Sequence, residues 1–263
     1  MIAVSYLFVP ATRPDRIDKA RRSGADEVIV DLEDSVAAED KAAAREALVE
    51  MPVGRPVHVR INARGSPHHA VDLRAVAAVA WVSAVVVPKV ESGEDIAAVA
   101  SALPPHIAVV ALVETARGIV AADSIARAAV ARIMFGSADY LVDIGAPAGR
   151  DVLAYPRSRL VVASRAARLP GPVDGPTLVT GDEGVVRAEA EQAKALGMRA
   201  KLCIHPAQVA AVNEVFRSSD EERRWAAAVL AAADAHGGGA FSFEGSMVDE
   251  PVLARAHQLL AQD

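Results

Sequence analysis

Short apolar runs rich in β-branched residues alternate along the chain with longer Ala-rich amphipathic stretches. Parallel strands buried on both faces under a layer of helices give this pattern. The strand segments are 4–9 (VSYLFV), 27–32 (EVIVDL), 57–61 (VHVRI), 84–87 (AVVV), 107–113 (IAVVALV), 132–136 (RIMFG), a weak one at 171–174, and 200–204 (AKLCI). The helical period predicts helices at 14–23, 39–50, 70–79, 93–102, 117–129, 150–168, 183–196 and 207–217. Eight βα units in this length favour a closed (β/α)8 TIM barrel, an α/β fold, although an open doubly wound sheet fits the same alternation. Residues 218–236 read as one more helix with Ser219 or Asp220 as its cap. Three glycines, Gly237 to Gly239, then form a joint before a hairpin-like segment and a final short helix. The expected organisation is a barrel with an additional helix over 1–236 and a C-terminal arm or lid over 237–263.

Composition narrows the class. With 263 residues, 52% of them hydrophobic, the chain can bury one large core as a single domain. A net charge of -6 provides no extended basic surface, so nucleic acid is not an expected partner. No apolar run reaches the about 18 residues that a membrane span needs. The opening segment meets Pro10 and several charges early and reads as a strand rather than a signal peptide. One cysteine, Cys203, leaves no internal disulfide and no cysteine zinc cluster. A cytoplasmic protein is the plain reading.

The polar residues add a positional signal. Arg13 follows the first strand, Glu33 and Asp34 the second, Arg60 and Asn62 close the third, and Lys89, Glu114 and Asp139 follow the fourth, fifth and sixth. In a barrel these points converge on one mouth, the face that carries active sites. Glu114 and Asp139 are 25 residues apart, about one βα unit, which places two carboxylates on neighbouring strands. Two carboxylates with open positions suit Mg²⁺, which keeps waters and accepts substrate oxygens. Plainer roles exist for each: an ion pair with Arg117 for Glu114, and a helix cap for Asp139.

Asp31, Glu33 and Asp34 form a second acidic group, placed to orient Arg60, Lys89 or metal-bound water; capping of the next helix by Asp34 or Ser35 is the alternative. Arg60 would project a planar donor suited to a carboxylate or a developing enolate oxygen, or else bridge to Glu33 or Asp34. Arg13 also reads as loop. His205 closes the last strand, where barrels hold phosphate-bearing ligands, and a lone His before Pro is more often packed or capping than catalytic. Lys201, within that strand, is a bridge or an anchor for an anion. Asp174, at the seventh strand end, is either structural or pocket-lining.

The stretches LFVPATRPDRIDKA, VIVDLEDSVAAEDKAAAR, VRIN, VVPKVES, ALVETARGI, FGSADY, KLCIHPAQV and FEGSMVDEPVLARA run from residue 7 to about 256. Through them the chain resembles the citrate lyase β-subunit-like group of the HpcH/HpaI aldolase superfamily. The resemblance implies that Glu114 and Asp139 bind Mg²⁺, that Arg60 contacts the carboxylate of an oxo or hydroxy acid, and that Arg13 and Lys89 help hold the acid or the thioester arm. It further implies a homo-oligomer, a trimer or a multiple of one, in which the tail closes over a neighbour's barrel mouth. Asp249 of the MVD motif then enters that neighbouring site as a candidate base for a thioester α-proton.

The implied reaction is Mg²⁺-dependent cleavage of a short 3-hydroxyacyl-coenzyme A thioester, such as citramalyl-CoA or malyl-CoA, into an acyl-CoA and a 2-oxo acid. Alternatives are a β subunit of a citrate lyase complex acting on a citryl thioester, a malyl-CoA or citramalyl-CoA thioesterase, and a non-catalytic barrel that binds acyl-CoA or oxo acid. The loop after Asp139, leading into GRDVLAYPRSRL, departs from the resembled pattern and is where fit to the substrate side chain is set.

Overall fold

A computed structural model describes residues 2–51 and 54–260; residues 261–263 of the expected lid lie outside them. Eight parallel strands, β1 (Ser5–Pro10), β2 (Glu27–Asp31), β3 (Val57–Arg60), β4 (Val82–Val87), β5 (Ala108–Val113), β6 (Arg132–Phe135), β7 (Val173–Asp174) and β8 (Ala200–Cys203), form a closed barrel in sequence order. Closure comes from β1 pairing with β8, Ser5 opposite Lys201 and Leu7 opposite Cys203. The open doubly wound sheet is thereby excluded.

Side-chain alternation divides the strands between two cores. On β5, Val109, Ala111 and Val113 face the helices, while Val110 and Leu112 face the barrel axis with Tyr6, Ile29, Val86, Met134 and Leu202. That double burial explains why the strands read as unbroken apolar runs. At the N-terminal end the interior is polar. Arg132 donates from Nη1 to Tyr6 Oη at 2.8 Å and from Nε to the Gly171 carbonyl at 2.9 Å, and His58 lies against the Tyr6 ring.

The outer layer contains α1 (Pro14–Arg21), α2 (Lys41–Glu50), α3 (His69–Ala77), α4 (Gly93–Ala102), α5 (Ala116–Val120), α6 (Ala122–Ala126), α7 (Ser137–Asp143), α8 (Arg150–Ala166), α9 (Glu183–Ala195) and α10 (Val209–Phe216). Helix starts are fixed by local chemistry: Ser92, Thr115 and Asp182 each accept a hydrogen bond from an amide three residues on. The single helix expected at 117–129 is two. Ala121 adopts ψ near 4°, its carbonyl accepts from the Ser124 and Ile125 amides, and the chain restarts as α6. Gly118 sets the pose of α5, since a Cβ there would stand 2.5 Å from the Val90 carbonyl oxygen. The seven-residue α7 is an element the periodicity did not predict.

After the barrel, α11 (Asp220–His236) starts at a capping box between Ser219 and Glu222 and ends at Gly237 in the left-handed region, φ 80°. A hairpin, β9 (Phe241–Phe243) with β10 (Ser246–Val248), and α12 (Glu250–Leu260) fold back on α11. These elements share a small core of their own around Ala226, Val229, Val248 and Ala256, flanked by Trp225, Phe241 and Phe243. No described helix is long and apolar enough to cross a membrane.

Candidate active site

A cavity of about 440 Å³ opens at the C-terminal ends of the strands, lined among others by Phe8, Asp31, Asp34, Arg60, Leu112, Glu114, Gly136 and Asp139. Strand direction brings them together, because each lies in the C-terminal half of a strand or shortly after one and all strands run the same way.

Arg60 is braced from below. Its Nε and Nη2 donate to the two carboxylate oxygens of Asp31 at 2.7 and 2.6 Å, while the guanidinium lies 4.8 Å above the centre of the Phe8 ring. Asp31 also accepts from the Glu33 and Ser35 amides. Burial pushes the Asp31 carboxyl up, but Arg60 and the amides outweigh it and hold the group below the usual carboxylate range. The bridge expected for Arg60 therefore runs chiefly to Asp31. Its Nη1 reaches Asp34 at 3.5 Å and lies 3.1 Å from Glu33 Oε2, off hydrogen-bond geometry, so that oxygen has no hydrogen-bond partner. Burial first, then the Asp34 charge, raises the Glu33 carboxyl against the pull of Arg60 and Lys89.

Lys89 has φ 52°, a backbone region costly for a non-glycine residue. That turn aims its amide at Glu114 Oε1, 2.9 Å away, and its Nζ at Glu33 Oε1, 3.1 Å away. Glu114 is 1% exposed. Its pKa is pushed up to about 9 by burial, then by the charges of Glu33 and Asp139. The ion pair with Arg117 does not form, since Arg117 turns outward to Glu91 at 3.6 Å. Asp139 lies in the first turn of α7 and makes no cap; Gly136 holds the N-cap position without a side-chain bond. Gly136 matters sterically, because a Cβ there would stand 2.3 Å from Glu114 Oε2.

The remaining nominated residues have local partners. Arg13 forms a two-pronged pair with Asp15, both bonds 3.0 Å, and lies outside the cavity lining. His205 caps the turn Pro206–Gln208, its Nδ1 accepting from the Ala207 amide, and is exposed. Asn62 bonds Asp72 and the Leu32 carbonyl. Neither Asp34 nor Ser35 caps a helix; the turn before α2 has Ala37 at its start. Asp174 is wholly buried between Arg157, at 2.7 and 3.0 Å, and Lys201, at 2.8 Å. Asp249 donates no group to the cavity of its own chain; its Oδ1 accepts from the Val252 amide at the start of α12.

Residues 4–206 match the HpcH/HpaI aldolase/citrate lyase family. A citrate lyase subunit beta-like protein of Deinococcus radiodurans is 43% identical over 280 residues, covering 98% of this chain and 96% of that one. The chain belongs to the HpcH/HpaI aldolase/citrate lyase family. With that membership it is a carbon–carbon lyase. A (3S)-malyl-CoA thioesterase of Cereibacter sphaeroides is 35% identical, covering 98% of this chain and 93% of the relative. Among solved structures, protein CitE of Mycobacterium tuberculosis in complex with magnesium, acetoacetate and coenzyme A has a TM-score of 0.86 and 40% identity, covering 99% of this chain and 97% of that one.

The mouth carries an excess of negative charge. Five carboxylates, Asp31, Glu33, Asp34, Glu114 and Asp139, stand against two cations, Arg60 and Lys89. Glu114 Oε2 has no hydrogen-bond partner among the described residues, and its carboxylate is buried beside two others. A divalent cation answers both deficits, and oxygen-only donors select a hard ion. No group of three or more potential metal-ligating side chains occurs among the described residues. Two carboxylates completed by water and substrate oxygens is the usual manner of Mg²⁺ binding. The residues fit the ion.

Proposed function

We propose that this protein cleaves the C2–C3 bond of a short 3-hydroxyacyl-coenzyme A thioester, citramalyl-CoA or malyl-CoA, with Mg²⁺ held by Glu114 and Asp139. The observation that carries this reading is the uncompensated Glu114–Asp139 pair beside a braced Arg60 in one cavity. Bound there, Mg²⁺ would supply Lewis acidity toward the substrate's hydroxyl and carboxylate oxygens. Arg60, fixed by Asp31, presents Nη1 and its open face to the substrate carboxylate, and its charge is secured by three neighbouring acids. The hydroxyl proton leaves, its oxygen becomes the carbonyl of the 2-oxo acid, and the electrons of the broken bond pass to the thioester α-carbon as an enolate, which then takes a proton. Glu33 and Asp34, with Lys89 between them, set the charge beside that cavity and share in proton handling. Apolar walls from Phe8, Leu112 and Leu202 limit water around the enolate.

The arm over 237–260 supports a shared site. It packs on α11 through a small core separate from the barrel's, and none of the cavity-lining residues comes from it. Asp249 of a neighbouring copy, in a homotrimer or a multiple of one, is then the group that gives the enolate its proton in cleavage and acts as the base for the α-proton in the reverse direction. Arg13 and His205 lie near the same rim by sequence position and would meet the thioester arm only after leaving Asp15 and the Ala207 amide.

Hydrolysis is the second reading, favoured by the 35% identical relative named as a malyl-CoA thioesterase. Incubating the purified protein with citramalyl-CoA and malyl-CoA, with and without Mg²⁺, and identifying products by mass spectrometry separates the two. The proposal expects pyruvate or glyoxylate together with acetyl-CoA, only with Mg²⁺. Free citramalate or malate with free coenzyme A would replace it with hydrolysis. Activity appearing only with added partner subunits would assign a citrate lyase complex.

A further inference from the structure

A second chamber of about 380 Å³ stands beside the main cavity and shares with it the wall residues Ala138, Pro176 and Leu178. Its polar lining includes Gly149, Arg150, Arg157, Ser137, Glu189 and Gln192. Three features of this wall call for an anion. The 17-residue α8 begins at Gly149 with no side-chain cap, so the positive end of a long helix, with its unbonded first amides, borders the chamber. Arg150 occupies the first position of that helix next to Asp151; it is exposed and has no ion pair among the described residues, so its guanidinium is available to a ligand in the chamber.

Arg157, two turns further along, is the third. Its side chain is 4% exposed, Nε and Nη2 are bonded to Asp174, and Nη1 is buried with no partner. A buried guanidinium nitrogen left without an acceptor is costly. The one carboxylate in the wall, Glu189, is already engaged, accepting from Thr177 Oγ1 at 2.6 Å and lying 3.9 Å from Lys201 Nζ.

We propose that this chamber is a subsite for an oxyanion, a carboxylate or a phosphate, carried by the substrate away from the reacting carbons. It rests on the lyase reading for the identity of that substrate. The shared wall lets a ligand seated at Glu114 extend into it. Two groups offer the required chemistry: a distal carboxylate on the acyl portion, and the 3′-phosphate of coenzyme A.

The first test needs no turnover. Inorganic phosphate is titrated at constant ionic strength, without Mg²⁺, against the wild type, Arg150→Ala, Arg157→Lys and Glu114→Gln, following Tm. For the wild type and Glu114→Gln a rise of about 2–4 °C at saturation is expected; Arg150→Ala and Arg157→Lys lose at least half of it. Arg157→Lys keeps a cation on Asp174, so the loss is not one of folding. An unchanged rise in both arginine variants, or its loss in Glu114→Gln, overturns the proposal. The second test compares KM for a thioester bearing a distal acyl carboxylate, one lacking it, and one built on dephospho-coenzyme A. In Arg150→Ala, a fivefold or larger increase confined to the carboxylate-bearing thioester assigns the acyl group. An increase for all but the dephospho compound assigns the phosphate. Equal effects on all three, or none, contradict a substrate subsite even if the enzyme turns over.

Discussion

Two buried carboxylates end neighbouring parts of the same barrel and meet opposite surroundings. Asp174, the last residue of β7, is clasped by Arg157 and Lys201, both nearly inaccessible, so one anion faces two cations. Glu114, after β5, receives one amide from Lys89, feels the Arg60 charge without a bond to it, and faces Glu33 and Asp139. A barrel tolerates a buried acid by answering it within the chain, as at Asp174, or leaves it unanswered where something else is to bind. The excess negative charge at the mouth, rather than the presence of acids, marks the functional end.

The largest effect expected from breaking this contrast is on turnover. Glu114→Gln should lower Mg²⁺-dependent cleavage by about 10³-fold or more while leaving the metal-free protein as stable as the wild type or more so; initial rates and urea midpoints check both halves. Asp174→Ala should do the reverse in kind, destabilising by about 3–5 kcal/mol because Arg157 and Lys201 remain buried without their anion, with Mg²⁺ affinity unchanged in the folded fraction. Gly136→Ala probes the ligand's seat: a Cβ 2.3 Å from Glu114 Oε2 must displace it. Mg²⁺ affinity should fall by about 10–100-fold, and stability should fall as well, because the same Cβ would stand 2.5 Å from Glu114 Cβ, which the backbone holds.

Two smaller effects follow from titration. Glu114 is raised to about 9 by burial, then by Glu33 and Asp139, so the metal-free fold is favoured while it is protonated and loses that contribution as pH rises through 9. Stability without Mg²⁺ should therefore decline from pH 6 to pH 9.5, and Glu114→Gln should flatten the decline. His58 behaves oppositely. Burial and the Arg132 charge lower it to about 4, so its contribution is present above the ordinary histidine range and lost as pH falls through about 4. Replacing it with Gln should remove about 2 kcal/mol of the difference in stability between pH 7 and pH 4.5.

The sequence carried the barrel in its alternation of doubly buried strands, and β7 was weak there because only Val173 and Asp174 pair, between Pro172 and Gly175. α7 escaped notice because seven residues directly after a strand leave two buried positions, too few for a period. Arg60, Glu33, Lys89, Glu114 and Asp139 stood out by their place after strands, and the strands bring them to one mouth. The same rule nominated Arg13 and His205, whose nearer partners, Asp15 and the Ala207 amide, take their side chains elsewhere. Arg157 was missed because it lies on a helix. Its signal was a cation on the buried stripe Pro156, Arg157, Leu160, Ser164, a position that demands an acid. Gly136 left no chemical trace, since its role is the absence of a side chain.

The account rests on Glu114 and Asp139 as the ion's two protein ligands, and calorimetric titration with Mg²⁺ in buffers of different ionisation heat tests that directly. The expected result at pH 7 is binding to the wild type with release of a proton from Glu114, and no binding to Glu114→Gln or Asp139→Asn. Equal affinity in either variant, or binding without proton release, would contradict it.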